Sequence, residues 1–308
     1  MKVCRTPDSC FANLPGYDFE PHYKMIEDDD GTQLRVHFVD VGPSDAQPIL
    51  LMHGNPSWAF LYRKMIPGLA ATGRRVIAVD LIGCGRSDKP AKRKYYTQAR
   101  HVDWMTKWVQ AMDLNNITLF CQDWGGTIGL NLVAEMPERF DRVVASNTGL
   151  PIGDGANKTL RTWQRLMKFL PSFPLKSAFR KTVKSEDFND EVLRGYLAPF
   201  PGRSYQAGIM QFPQLIAVFA DNPSVAQNRS ALEKLGRFDK PFLTLFGNRD
   251  PVTRGLEKVF IDGVPGAKGQ KHKIIRGAGH FIQEDRPDDL VAEIIPFLDV
   301  TQEPRQPT

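Results

Sequence analysis

The chain has 308 residues, of which 42% are hydrophobic and 24% charged, and a formal net charge of +5. These values describe a soluble globular protein with a sizeable core, long enough for one large α/β domain or two average ones. No apolar run can cross a bilayer, the first residues lack the apolar core of a secretion signal, and Cys4, Cys10, Cys84 and Cys121 show no metal or Cys-x-x-Cys spacing, so a reduced cytoplasmic chain is expected.

Apolar runs alternate with helical patterns along the chain, which predicts a mostly parallel sheet covered on both faces. Asp28-Asp29-Asp30-Gly31-Thr32 is a hairpin signal, so the first strands are expected to be antiparallel. Strands are predicted at Leu34–Val41, Pro48–Met52, Arg75–Val79, Ile117–Gln122, Arg142–Ser146, Pro241–Phe246 and His272–Ile275. Helices are predicted at Ala59–Ala71, Tyr96–Met112, Gly126–Glu135 and Asp288–Leu298. Between Pro151 and Phe238 the strand rhythm stops. Trp, Phe, Lys and Arg recur there at helical spacing, broken by Pro171, Pro174, Pro199, Pro201 and Pro213. Residues 151–238 therefore read as a helical lid inserted into a core formed by 1–150 and 239–308. Such a lid would lie over the strand C-termini, where open α/β sheets bind ligands. Thr301–Thr308 reads as a loose tail.

Basic residues gather at Lys158, Arg161, Arg165, Lys168, Lys176, Arg180, Lys181 and Lys184. No nucleic-acid module accompanies them, so they read as a solvated helix face, and neither nucleic acid nor membrane is expected as a partner.

The chemistry concentrates at Cys121-Gln122-Asp123-Trp124-Gly125. An apolar run, a tight turn and a helical pattern are the layout of a nucleophile elbow, with Asp123 where a serine is more usual. Cys121 and Gly125 are the small residues such a turn needs, because the backbone passes close to itself. A carboxylate there is already ionised at neutral pH and can attack carbon directly, forming an ester that must later be hydrolysed. Gly277-Ala278-Gly279-His280-Phe281 supplies a base on a glycine-rich loop, and Phe246-Gly247-Asn248-Arg249-Asp250 ends a strand with an acid. Nucleophile, acid and histidine then follow in the chain order of the α/β-hydrolase fold. Asn147 occupies the place of an alternative acid and cannot carry charge; Asp262 is a weak rival. His53-Gly54-Asn55-Pro56 follows the strand Pro48–Met52, so the backbone N–H groups of Asn55 and Trp124 are the expected oxyanion donors, with His53 itself structural. Trp58, Trp104 and Trp108 are expected in the core.

The segments His53-Gly54-Asn55-Pro56-Ser57-Trp58, Gly83-Cys84-Gly85-Arg86-Ser87-Asp88-Lys89-Pro90, Gln122-Asp123-Trp124-Gly125-Gly126 and Gly279-His280-Phe281-Ile282-Gln283-Glu284 resemble the haloalkane dehalogenase family of α/β-hydrolases. The likeness spans nearly the whole chain. With its acid at Asp250, the chain is similar to the branch that takes its second halide-binding tryptophan from the lid. The resemblance implies hydrolysis of haloalkanes to alcohol and halide through an alkyl ester on Asp123, with water activated by His280. It implies halide binding by Trp124 and by Trp163 or Asn55, with Trp163 ranked first. The cycle it implies requires no metal or organic cofactor, and its partners are a small halogenated alkane, water and the halide product; nothing in the sequence demands a partner chain, so a monomer is expected. Phe169, Phe173, Phe200 and Val252 are candidates to line the substrate pocket, with packing of the lid as the competing role. The alternative is an epoxide hydrolase using the same aspartate, for which Tyr196 and Tyr205 would be the O–H donors.

Overall fold

In the computed structural model residues 1–154 and 158–299 are described, so Thr301–Thr308 lies outside the described residues. Eight strands form one sheet: β1 (His22–Glu27), β2 (Gln33–Val41), β3 (Pro48–Met52), β4 (Arg75–Val79), β5 (Ile117–Gln122), β6 (Phe140–Ser146), β7 (Phe242–Gly247) and β8 (Lys273–Ile275). Their spatial order is 8-7-6-5-3-4-2-1. β1 and β2 pair antiparallel, as does β2 with β4, and the remaining neighbours are parallel. β3 and β5 consist entirely of buried residues, as expected for central parallel strands covered on both faces. β1 alternates in burial because it forms the sheet's edge, with one face in solvent. This is the α/β-hydrolase architecture, and it brings the ends of β3, β5, β7 and β8 to one edge of the sheet.

Helices α1 (Gln98–Ala111), α2 (Trp124–Glu135), α8 (Glu257–Gly263) and α9 (Pro287–Leu298) connect or follow the strands. Thr97 caps α1 by accepting the Arg100 N–H on its hydroxyl. The expected helix Ala59–Ala71 is instead a 3-10 turn, Ala59–Tyr62, followed by a short helix, Ile66–Ala70. Pro67 explains the break, since proline fits only the first turn of a helix. Trp58, Trp104 and Trp108 are completely buried. No helix among the described residues is long and apolar enough to cross a membrane.

Between β6 and β7 the described chain forms α3 (Lys158–Phe169), α4 (Leu175–Thr182), α5 (Asp190–Leu197), α6 (Ala207–Leu215) and α7 (Ser224–Leu235). Pro171 and Pro174 separate α3 from α4, and Pro199 and Pro201 follow α5. Pro213, expected to break a helix, lies inside α6. Proline has no N–H for the carbonyl four residues earlier, here that of Ile209. That carbonyl accepts the side-chain amide of Asn55 instead, at 3.3 Å.

The start of α2 shows why glycines follow the elbow. A Cβ on Gly125 would lie 2.1 Å from the Met52 carbonyl oxygen, and one on Gly126 would lie 2.0 Å from Thr148 Oγ1. Gly125→Ala must therefore push α2 off β3. We expect it to destabilise the fold by at least the ~1–3 kcal/mol typical of overpacked cores, measured by urea unfolding. Wild-type stability in that variant would contradict the packing described.

Candidate active site

Asp123 directly follows β5 with φ of 52°, a left-handed conformation that is strained for a non-glycine residue. The turn is tied down on several sides. Its N–H donates to the Asn147 carbonyl at 3.0 Å, and its carbonyl accepts the Thr148 hydroxyl at 2.7 Å and the Gly126 and Thr127 N–H groups at 3.0 Å. The side chain makes no capping hydrogen bond to the helix it precedes. Oδ1 accepts the Asn55 N–H at 2.7 Å, and Oδ2 lies 3.5 Å from His280 Nε2. Gly54 leaves room for the carboxylate, since a Cβ there would sit 2.4 Å from Oδ1.

His280 lies in the loop after β8, with Nδ1 3.1 Å from Asp250 Oδ2. Asp250 is buried, and its carboxylate also accepts the Thr253 hydroxyl and, at 2.9 Å on Oδ1, the Val252 N–H. Burial alone would raise the Asp250 pKa, but the His280 charge and these hydrogen bonds hold it below the ordinary carboxylate value. For His280, burial opposes the charged imidazolium, yet Asp250 and Asp123 together outweigh it and raise the pKa from 6.5 to about 10. The structure thus brings Asp123, His280 and Asp250 into one chain of contacts. Asp262 lies on α8, outside that chain.

The other predicted residues divide. Trp124 is buried, its ring centroid 5.0 Å from that of Phe212 on α6. The Asn55 side-chain amide donates to the Ile209 carbonyl, and its Oδ1 is buried without a partner. Trp163 is 37% exposed, and no aromatic or hydrogen-bonded contact among the described residues joins it to Trp124. Its neighbour Gln164 is buried and donates to the Pro213 and Ile216 carbonyls at 2.9 and 3.1 Å, pinning α3 to α6. Trp163 therefore stands at the edge of the buried face of α3.

Phe169 needs correction as a lining candidate. It is 80% exposed, because α3 turns Gln164 and Met167 inward and places Phe169 on the opposite side. Phe173 and Phe200 are buried in the hydrophobic core. Val252 is half exposed and lines a surface cavity of about 320 Å³ with Leu150, Ile216, Val218 and Leu256.

His53 is structural. Its Nδ1 faces the Gly54 carbonyl at 2.8 Å and its Nε2 accepts the Leu81 N–H at 3.0 Å, so the ring is neutral with the proton on Nδ1. Burial lowers its pKa accordingly.

Two contributors escaped the sequence reading. Thr253 steadies the acid, and the Asp250-x-x-Thr253 spacing of a polar turn was the available signal. Asn147 was read only as a missing acid. In the structure its amide donates to the Gly279 and His280 carbonyls at 2.8 and 3.0 Å, and its Oδ1 accepts the Gly247 N–H at 2.8 Å. An amide suits this place because it donates and accepts at once; a carboxylate cannot donate.

Such an arrangement can carry a nucleophilic displacement followed by base-assisted hydrolysis. A family model described as the alpha/beta hydrolase fold matches residues 47–287. The chain is 50% identical over 299 residues to a haloalkane dehalogenase of Psychrobacter cryohalolentis, covering 97% of this chain and 98% of that one. It is 46% identical over 297 residues to a haloalkane dehalogenase of Mycobacterium marinum, covering 96% and 99%. A tetrameric haloalkane dehalogenase from Paraglaciecola agarilytica has a related structure, with a TM-score of 0.87 at 29% identity over 97% of this chain and 100% of that one. Half of its residues are shared with a relative along almost the full length of both chains, on the same fold, and the chain belongs to the haloalkane dehalogenase family of α/β hydrolases.

Proposed function

We propose that this enzyme hydrolyses haloalkanes to alcohol and halide through a covalent ester on Asp123. The observation that carries the reading is the division of labour between the two oxygens of that carboxylate. Oδ1 sits on the Asn55 N–H, and Oδ2 faces the His280–Asp250 pair. In the first step Oδ2 attacks the halogen-bearing sp³ carbon in line. A C–O bond forms, the C–X bond breaks, and halide leaves with the electron pair. No proton is required. The growing anion is met by neutral donors, the Trp124 indole with Trp163 or the Asn55 amide as the second.

In the second step water attacks the ester carbonyl of Asp123 and gives its proton to His280. Negative charge then gathers on Oδ1, where the Asn55 and Trp124 N–H groups form the oxyanion hole, each donor worth about 3–4 kcal/mol by analogy with acyl-transfer enzymes. The tetrahedral intermediate expels the alcohol oxygen, which takes the proton back, so the sum is haloalkane plus water giving alcohol, halide and a proton. Electrostatics links the steps. Asp250 and, after it, Asp123 raise the His280 pKa; esterification of Asp123 would remove its share and move the histidine toward a free base.

The geometry does not favour epoxide opening, which needs two lid tyrosines as O–H donors. Tyr196 is fully buried and donates its hydroxyl to Glu284 at 2.5 Å, so it is already committed.

Replacing His280 by Gln should leave halide release in the first turnover intact and slow turnover by about 10²–10⁴-fold, the usual share of a general base. Intact-mass analysis should then find the alkyl group on Asp123. Absence of that adduct, with the variant folded, would reject the ester. For halide binding, bromide quenching of indole fluorescence should weaken roughly tenfold or more in Trp163→Phe if the lid indole is the second donor, since hydrogen bonds to charged groups are worth about 1.5–3 kcal/mol. An unchanged bromide affinity there, with a loss in Asn55→Ala, would assign the role to Asn55.

The raised His280 pKa also fixes a sign. Its contribution to stability is fully present below the unfolded value of 6.5 and is lost as pH rises through about 10. Between those pH values the melting temperature of the wild type should fall more steeply than that of His280→Gln. Parallel curves would show that the imidazole carries no extra charge in the folded state.

A further inference from the structure

Glu284, which ends the histidine motif, and Asp285, which follows it, do different work. Glu284 is fully buried and accepts Arg63 in two hydrogen bonds of 2.6 and 2.9 Å, Lys64 at 2.9 Å and the Tyr196 hydroxyl from α5. Its charge is thus met by two cations. Asp285 is also buried, yet no cation pairs with it among the described residues. Three main-chain N–H groups surround it instead. Oδ1 accepts those of Lys184 and Ser185, at 2.6 and 2.9 Å, and Oδ2 accepts that of Gly279 at 2.7 Å. One carboxylate therefore joins the α4–α5 connection to the residue immediately before His280.

We infer that Asp285 is a positioning residue that clasps the α4–α5 connection of the inserted helices to the His280 loop and sets the imidazole for ester hydrolysis; this rests on the ester cycle proposed above. The contact is close and specific. A Cβ on Gly279 would lie 2.5 Å from the Thr182 carbonyl oxygen and 2.9 Å from Lys184 Cγ. Only glycine lets the connection come this near. The Gly279 carbonyl is held from the other side by the Asn147 amide at 2.8 Å. Both peptide groups of Gly279 are then fixed, and the next Cα bears the imidazole. The ring of Phe281, just beyond, packs on Phe179 of α4 with centroids 4.9 Å apart.

Releasing the Asp285 end removes one of the two ties on the Ala278–Gly279 peptide, whose carbonyl still accepts the Arg249 N–H at 2.9 Å, and so loosens the His280 loop relative to Asp123. Displacement of halide does not use the histidine as a base, whereas hydrolysis of the ester does. The clasp therefore acts on the second step alone.

The test compares Asp285→Asn with Ser185→Pro. The first keeps the shape of the side chain but leaves one accepting oxygen for donors on two sides. The second removes one N–H from the connection without touching the core. Rapid-quench bromide release from 1,2-dibromoethane, steady-state turnover and intact mass are measured for each. We expect the first-turnover bromide release of Asp285→Asn to stay within about twofold of wild type, since only the later step is affected. Its kcat should fall on the order of tenfold to a hundredfold, as for a misplaced catalytic group, with alkyl-Asp123 accumulating. Ser185→Pro should show the same split at smaller size, and it carries the test if Asp285→Asn fails to fold. Burst and turnover falling together, or neither changing in a folded variant, overturns the clasp. His280→Gln is the control. Adduct in that variant but in neither of the others defeats the clasp, and no adduct even there defeats the ester cycle itself.

Discussion

One imidazole held between two carboxylates is the interaction on which the rest of the site depends. Asp250 orients His280 from one side, and Asp123 faces it from the other. While both acids are ionised the histidine is charged. In the proposed cycle Asp123 would become an ester, which would take away one of the two negative charges beside the ring. A charge balance of this kind works only if its distances are kept. Most of the surrounding structure serves that end.

The supports come from every element at the catalytic edge of the sheet. The strained backbone of Asp123 is over-determined by Asn147 and Thr148 at the end of β6 and by the glycines that let α2 approach β3. The Asn55 amide is aimed by a carbonyl that Pro213 leaves unpaired in α6. Asn147 ties the nucleophile, the end of β7 and the histidine loop together with one side chain. The inserted helices are therefore tied to the candidate site through contacts at Asn55, Gly279 and Glu284.

What the sequence made legible follows from how local each signal was. β3, β4 and β5 could be read to the residue because their apolar runs are short, continuous and bounded by turns. Asp123, Asp250 and His280 stood out because each lies in a strand-end motif whose small residues betray a tight turn. Long-range polar partners were not legible. Nothing near Asn147 or Asp285 announces that its contacts lie on other elements, Gly279 and Gly247 for the one and Lys184 for the other. Phe169 failed for a different reason. Helical spacing groups residues onto faces but does not say which face meets the core, and here a polar residue, Gln164, is turned inward beside Met167. Trp163, 37% exposed, lies on the boundary between those faces.

The origin of the product oxygen tests the central claim most directly. A single turnover in water labelled with oxygen-18, followed by mass analysis of the alcohol and of the peptide containing Asp123, separates the two routes. An ester intermediate predicts unlabelled alcohol and a heavy oxygen in the Asp123 carboxylate. Labelled alcohol with an unlabelled carboxylate would mean that water attacks the substrate carbon directly, and the account of this site would be wrong.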